Sequence, residues 1–213
     1  MKKLAFFILL SLVTLGVSAQ SNLKWNVNAG IGMSNWYGDD TDGTDAKFAY
    51  KVGIGLEVPF ANTNIWSFQT GLNFISKGVK GDGVTDAWDV VDVTINQLYL
   101  ELPINVQFRF NIANNTNLVV ATGPYLACGV GGKAKFDGEA SIGNVGINAD
   151  EKIDTFGDDG LGYNRFDAGW NIGLGVEFGK ILVGLDTQLG FCKVMDGDAP
   201  HNANIGITLG YKF

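Results

Sequence analysis

Asn202-Ala-Asn-Ile-Gly-Ile-Thr-Leu-Gly-Tyr-Lys-Phe213 alternates without a break. Ala203, Ile205, Ile207, Leu209, Tyr211 and Phe213 share one face, and Asn202, Asn204, Gly206, Thr208, Gly210 and Lys212 share the other. Side chains of a β-strand point alternately to its two faces, so the segment reads as a strand with one wholly apolar face closing on an aromatic residue. A strand that meets water has no use for such a face. A strand that meets lipid needs one, and aromatic residues favour the membrane interface.

The same period of two recurs along the chain and gives seven further strands: 23–37, 47–58, 65–76, 93–110, 117–133, 165–178 and 181–192. Their apolar faces are clear in Trp25-Val27-Ala29-Ile31-Met33, in Phe48-Tyr50-Val52-Ile54-Leu56 and in Leu98-Leu100-Leu102-Ile104-Val106-Phe108-Phe110. They are as clear in Phe166-Ala168-Trp170-Ile172-Leu174-Val176-Phe178. Segments 59–64, 111–116 and 179–180 are short connections, whereas 38–46, 77–92, 134–164 and 193–201 are longer and hold 17 of the 22 acidic residues. Short turns at one end and long loops at the other are the pattern of outer-membrane barrels. The expectation is therefore an all-β fold: an eight-stranded antiparallel up-and-down transmembrane β-barrel with short periplasmic turns and long extracellular loops. The Gly-rich connection 134–164 is compatible with a short hairpin above the membrane.

The opposite faces carry Lys24, Lys51, Glu57, Glu101, Arg109, Arg165, Asp167, Glu177, Asp186 and Lys212, five cations and five anions. In a membrane barrel these point inward, and an eight-stranded barrel is wide enough only for side chains, so the expectation is a plugged lumen held by an ion-pair network. Glycines concentrate on the same face, which suits a cramped interior. Aromatic residues of the apolar face gather at strand ends as two interfacial girdles: Trp25, Trp66, Phe108, Phe110, Phe178, Tyr211 and Phe213 at the short-turn end, Phe48, Tyr50, Phe74, Phe166, Trp170 and Phe191 nearer the other.

At the start, Lys2 and Lys3 precede an almost continuously apolar stretch, Leu4 to Val17, and the small residues Ser18 and Ala19. This is the three-part layout of a secretory signal peptide, and 14 residues are too few for a helical span of roughly 20. Residues 1–19 are expected to be a cleaved signal and 20–213 one barrel domain. A net charge of −7 argues against nucleic acid as a partner. Cys128 and Cys192 fall on the fifth and seventh expected strands, too far apart to bridge, and are expected as free thiols.

The stretch Leu98-Tyr-Leu-Glu-Leu-Pro-Ile-Asn-Val-Gln-Phe-Arg-Phe110 resembles the "YLEIP" strand of the PorT-like outer-membrane β-barrel family of Bacteroidetes type, with Leu102 in place of the usual Ile. Gly123-Pro-Tyr-Leu126 resembles the "GPYL" element that follows it. These motifs cover two strands, while the layout matches along the whole mature chain. The resemblance implies a barrel in the outer membrane, and one branch of the family is linked to protein secretion. Pro103 removes a ladder donor in mid-strand, so a bulge or local gap is expected there.

Catalytic chemistry finds no support. His201 is the only histidine, lies in the last long connection and has no Gly-x-Ser-x-Gly element to serve, so no catalytic residue is assigned. Asp39-Asp-Thr-Asp-Gly-Thr-Asp45 spaces carboxylates as a hard cation prefers, and Asp40, Asp42 and Asp45 are candidate ligands for weakly bound Ca²⁺ in loop 38–46, with no other cofactor. Tyr211 and Phe213 are the candidate C-terminal signal for the barrel assembly machinery, the outer-membrane bilayer being the other partner. The leading expectation is a small plugged barrel with acidic surface loops in a structural, adhesive or ligand-recognising role. The alternatives are a narrow channel or secretion accessory, and a soluble periplasmic lipocalin-like barrel that binds lipid.

Overall fold

The computed structural model describes residues 23–213 apart from 39–40, 42, 61–64, 85–89, 143–144 and 158–159. The expected signal peptide and the candidate ligands Asp40 and Asp42 lie outside the described residues.

The strands are β1 Lys24–Tyr37, β2 Thr44–Asp45, β3 Lys47–Pro59, β4 Trp66–Val84, β5 Val90–Ala113, β6 Thr116–Gly131, β7 Lys133–Ile142, β8 Val145–Asp154, β9 Phe166–Phe178, β10 Ile181–Lys193 and β11 His201–Lys212. They form one antiparallel sheet in the order β2-β4-β3-β1-β11-β10-β9-β6-β5-β7-β8, and a further β4–β5 pairing closes it. The ring that results has eight members: β4, β3, β1, β11, β10, β9, β6 and β5. They correspond to the eight strands read from the alternation. The C-terminal strand meets the first in one unbroken register from Asn26↔Lys212 to Tyr37↔His201. Closure leaves no free edge in the ring, which is what a strand structure needs where no water is available to the backbone.

Three features beyond the eight alternating strands share one cause. β4 and β5 run on through most of the connection 77–92, pairing from Lys77↔Gln97 to Val84↔Val90. β7 and β8, ten residues each, form the hairpin that connection 134–164 allowed; it pairs with β5 from Val91↔Gly138 to Ile95↔Ala134, and β2 joins β4 on the other side. These additions lie beyond the apolar bands. Neither face needs to be apolar there, so the hydropathy pattern carries no strand signal.

The outside of the ring is apolar. Thirty-three large hydrophobic side chains are exposed among the described residues, including Ile31, Ile54, Ile172, Leu185, Ile207 and Leu209 at more than half exposure. Burying such a side chain is worth about 1.5–3 kcal/mol, so leaving this surface in water would cost tens of kcal/mol against a typical net stability of about 5–15. The inside is the reverse: Glu57, Lys77, Gln97, Glu101 and Gln107 are at most 1 % exposed. The soluble alternative required the apolar face to be the core, and the orientation of the side chains overturns it. Aromatic pairs mark both ends of the outer face. Trp66 lies on Phe108 (3.9 Å between centroids) and Tyr211 on Phe213 (5.4 Å) at the short-turn end, and Tyr50 on Phe74 (6.4 Å) towards the other.

Pro103 sits where the pairing of β5 is interrupted. The register with β4 skips from Thr70↔Ile104 to Asn73↔Glu101 without shifting, so the expected irregularity is a gap.

Candidate functional site

The lumen is built in three tiers. At the short-turn end, Glu57 of β3, Arg109 of β5, Glu177 of β9 and Lys212 of β11 converge. Arg109 donates from Nη1 to Glu57 Oε1, from Nη2 to Glu57 Oε2 at 2.6 Å and from Nε to Glu177 Oε2 at 3.1 Å. Lys212 Nζ donates to Glu177 Oε2 and lies 3.1 Å from Glu57 Oε2. Gln107 Oε1 accepts from Arg109 Nη2 at 2.9 Å. Two cations and two anions cancel, and each carboxylate has both a partner charge and hydrogen bonds, the condition for keeping charge away from water.

The middle tier is looser. Lys51 Nζ pairs with Asp186 Oδ2 at 2.9 Å, and Asp186 also accepts from the Thr208 hydroxyl. Beside this pair lies a cavity of about 130 Å³ lined by glycines and aliphatic side chains together with carboxamides, among them Asn28, Gln69, Asn105, Asn171 and Gln188. At a liquid share of about 30 Å³ per molecule, that is room for on the order of four waters.

The upper tier centres on Lys77. It is fully buried, with Nζ 2.9 Å from Asp167 Oδ2, 3.5 Å from Glu101 Oε2 and 4.0 Å from the centroid of Tyr125. The Tyr125 hydroxyl donates to Asp167 Oδ2 at 3.2 Å, and Gln188 Nε2 donates to Glu101 Oε1 at 2.9 Å. Lys47 Nζ caps the tier, donating to Ser76 Oγ at 2.8 Å and Asn96 Oδ1 at 2.7 Å.

Above Lys77 the polar interior gives way to an apolar cap. Ile75, Tyr99, Tyr125 and Ala127 of the wall pack with Phe156, Tyr163, Val194 and Ala199 from the segments that follow β8 and β10. Phe156 meets Tyr99 edge-on at 5.4 Å. The two loop segments are tied to each other by Asn164 N to Val194 O at 2.8 Å, and to the wall by Thr155 Oγ1 to Asn96 O at 2.8 Å. Gly129 makes room: a Cβ there would stand 2.5 Å from the Phe156 ring. Burial pushes the Tyr163 phenol up to about 12.

Of the charges assigned to the lumen, Lys51, Glu57, Glu101, Arg109, Asp167, Glu177, Asp186 and Lys212 are there. Arg165 is not: it stands one residue before β9 in a bend, is exposed, donates to Gly129 O at 3.0 Å and lies over Phe156. Lys24 is likewise exposed. Lys77 was missed because it falls in a stretch read as loop. His201, read as a loop residue, opens β11, is half-buried and lies 5.5 Å from the Tyr37 ring. Asp45 is exposed on β2 opposite Lys80, and no group of three or more His, Cys, Asp or Glu suited to a metal occurs among the described residues. Cys128 and Cys192 are free thiols.

A closed ring of strands with an apolar exterior and an ion-paired interior is a protein of the lipid bilayer. The model of the outer membrane protein beta-barrel domain family matches residues 13–196, and the chain belongs to that family and to the outer membrane. No protein of curated function matches it. Among solved structures, Ail, the attachment invasion locus protein of Yersinia pestis, is similar at 15 % identity, over 90 % of this chain and 99 % of that one, with a TM-score of 0.40. Neisserial surface protein A is similar at 10 % identity, over 89 % and 97 %, with a TM-score of 0.44.

Proposed function

We propose that this protein is a non-conducting outer-membrane anchor that holds a β-sheet platform at the cell surface for a structural, adhesive or ligand-recognising role. The observation that carries the reading is the double closure of the lumen, by the Arg109–Glu57–Glu177–Lys212 cluster at one end and the Phe156–Tyr163–Val194 cap at the other. A through-channel has no use for either. The long-loop end, where β4 and β5 rise past the ring with β2 and the β7–β8 hairpin beside them, is the extracellular one, with the short turns in the periplasm. Loops and projecting hairpins on a rigid scaffold are where recognition usually resides. Within the family, the Tyr99-Leu-Glu-Leu-Pro103 and Gly123-Pro-Tyr-Leu126 motifs favour the PorT-like group. No enzymatic role is proposed.

Planar bilayer recording of the refolded protein tests the reading. The expected record has no steady single-channel steps. Steady conductance would replace the anchor with the narrow channel.

A further inference from the structure

The wall of the ring is interrupted beside the central cavity. Pro103 on β5 and Pro124 on β6 have no N–H to give to a ladder. Pairing between β4 and β5 is interrupted at 71–72 and 102–103. Pairing between β5 and β6 is interrupted at 104–105 and 123–124, between Pro103↔Tyr125 and Val106↔Thr122. Register is the same on either side of both gaps. Residues 102–105 of β5 therefore lack regular pairing on one side or the other throughout, while Tyr99–Glu101 and Val106–Phe108 are paired on both sides. Pro103 faces inward and lines the cavity with Gly71 and Asn105, whereas Pro124 is exposed on the lipid side. Inside, Asn105 Oδ1, Asn171 Nδ2 and Gln188 Oε1 have no partner within the protein, and all three residues are more than nine-tenths buried.

We infer that the ring opens sideways at residues 102–105, between Pro103 and Pro124, and that this seam admits a small uncharged, hydrogen-bonding molecule from the surrounding lipid into the central cavity. Both axial routes are closed by groups that hold one another, so exchange through the wall disturbs least. A charged molecule is excluded because it would have to leave water to cross the hydrocarbon layer. An uncharged one finds in the cavity the carboxamide donors and acceptors that the protein leaves unused. The inference rests on the lumen being closed at its ends, which conductance tests separately.

The experiment places one thiol in the cavity. Ala121→Cys, in a chain carrying Cys128→Ser and Cys192→Ser, is reconstituted into phosphatidylcholine vesicles, and its folding is checked by gel mobility before and after boiling. N-ethylmaleimide is expected to modify the introduced thiol at least about tenfold faster than a sulfonated methanethiosulfonate relative to the two reagents' rates on a free thiol. Pro103→Ala with Pro124→Ala is expected to slow the maleimide by a similar factor. Equal relative rates for the two reagents, no modification, or a maleimide rate indifferent to the prolines would overturn the seam. Amide hydrogen exchange on the unsubstituted protein gives a readout that needs no variant to fold. Among residues 71–72, 102, 104–105 and 123, those whose N–H points into a gap should exchange faster than residues three to four places away on the same strands, and uniform protection would overturn the inference.

Discussion

Arg109 and Glu57 meet across an intervening strand. Arg109 belongs to β5 and Glu57 to β3, with β4 between them, and both terminal nitrogens of the guanidinium reach the two oxygens of one carboxylate. Next-but-one strands are roughly 10 Å apart, so the pair spans the lumen rather than running along its wall. With Glu177 and Lys212 it ties four of the eight ring strands together at one level. A soluble domain would use apolar side chains for that purpose. Here the apolar side chains are needed outside, and charge does the bracing.

Breaking this brace on one side should cost more than removing it. Arg109→Met leaves Glu57 with Lys212 alone in a buried setting, an expected loss of about 3–5 kcal/mol in urea unfolding from lipid vesicles. Arg109→Lys keeps the charge but not the fork, and an expected loss of about 1.5–3 kcal/mol follows from the charge-assisted bonds forfeited. Arg109→Met combined with Glu57→Met retains the neutral Glu177–Lys212 pair and should lose less than Arg109→Met by itself. Additive losses would show that the two residues do not act as a unit.

Lys77 is the second brace and the more exacting one, being fully buried between Asp167 and Glu101. Lys77→Met should destabilise the protein by about 3–5 kcal/mol, because two carboxylates then share a site with no cation against them. Adding Asp167→Asn should recover part of that loss. If the single variant unfolds at the same urea concentration as the parent, the pairing contributes nothing and the upper tier is held by its tyrosines and amides.

The difference between these two braces also separates what was legible in the sequence from what was not. Glu57, Arg109, Glu177 and Lys212 lie on strands with strict alternation, so their inward direction follows from the lipid-facing residues on either side. Lys77 follows Ile75 and Ser76, and the apolar half of the pattern stops there although the strand continues to Val84. The cap was invisible for a related reason. Phe156, Tyr163, Val194 and Ala199 come from segments without period, and only the ring's closure brings them together over Tyr99 and Tyr125. Arg165 shows the opposite failure: its parity pointed inward, but the strand that would enforce parity begins one residue later.

Lipid contact should be graded along β11. Ile207 lies at mid-strand on the outer face, flanked by Ile31 and Leu185 on the neighbouring strands. Ile207→Arg is expected to cost about 2–4 kcal/mol, whereas Tyr211→Arg, close to the interface, should cost no more than about 1 kcal/mol through lipid contact. Equal costs at the two positions would mean that the apolar band does not follow the bilayer profile.

The cap should open without the ring. Phe156 fills the space left by Gly129 and is held edge-on by Tyr99, so its side chain is the main apolar contact between the loop segments and the wall. Truncating a buried Phe typically costs about 3–5 kcal/mol, and here that cost falls on the cap because no ring strand contributes residue 156. Val194, 2 % exposed within the cap, reports on it. With both native cysteines replaced by serine, a thiol introduced as Val194→Cys should react slowly with a water-soluble reagent. Phe156→Ala should raise that rate at least about tenfold, since each 1.4 kcal/mol shifts an opening equilibrium by a factor of ten. Mobility of the unboiled protein on a gel should stay that of the folded ring. A rate unchanged by Phe156→Ala would mean that the backbone ties of Asn164 and Thr155, rather than the aromatic contact, keep the upper end of the lumen shut.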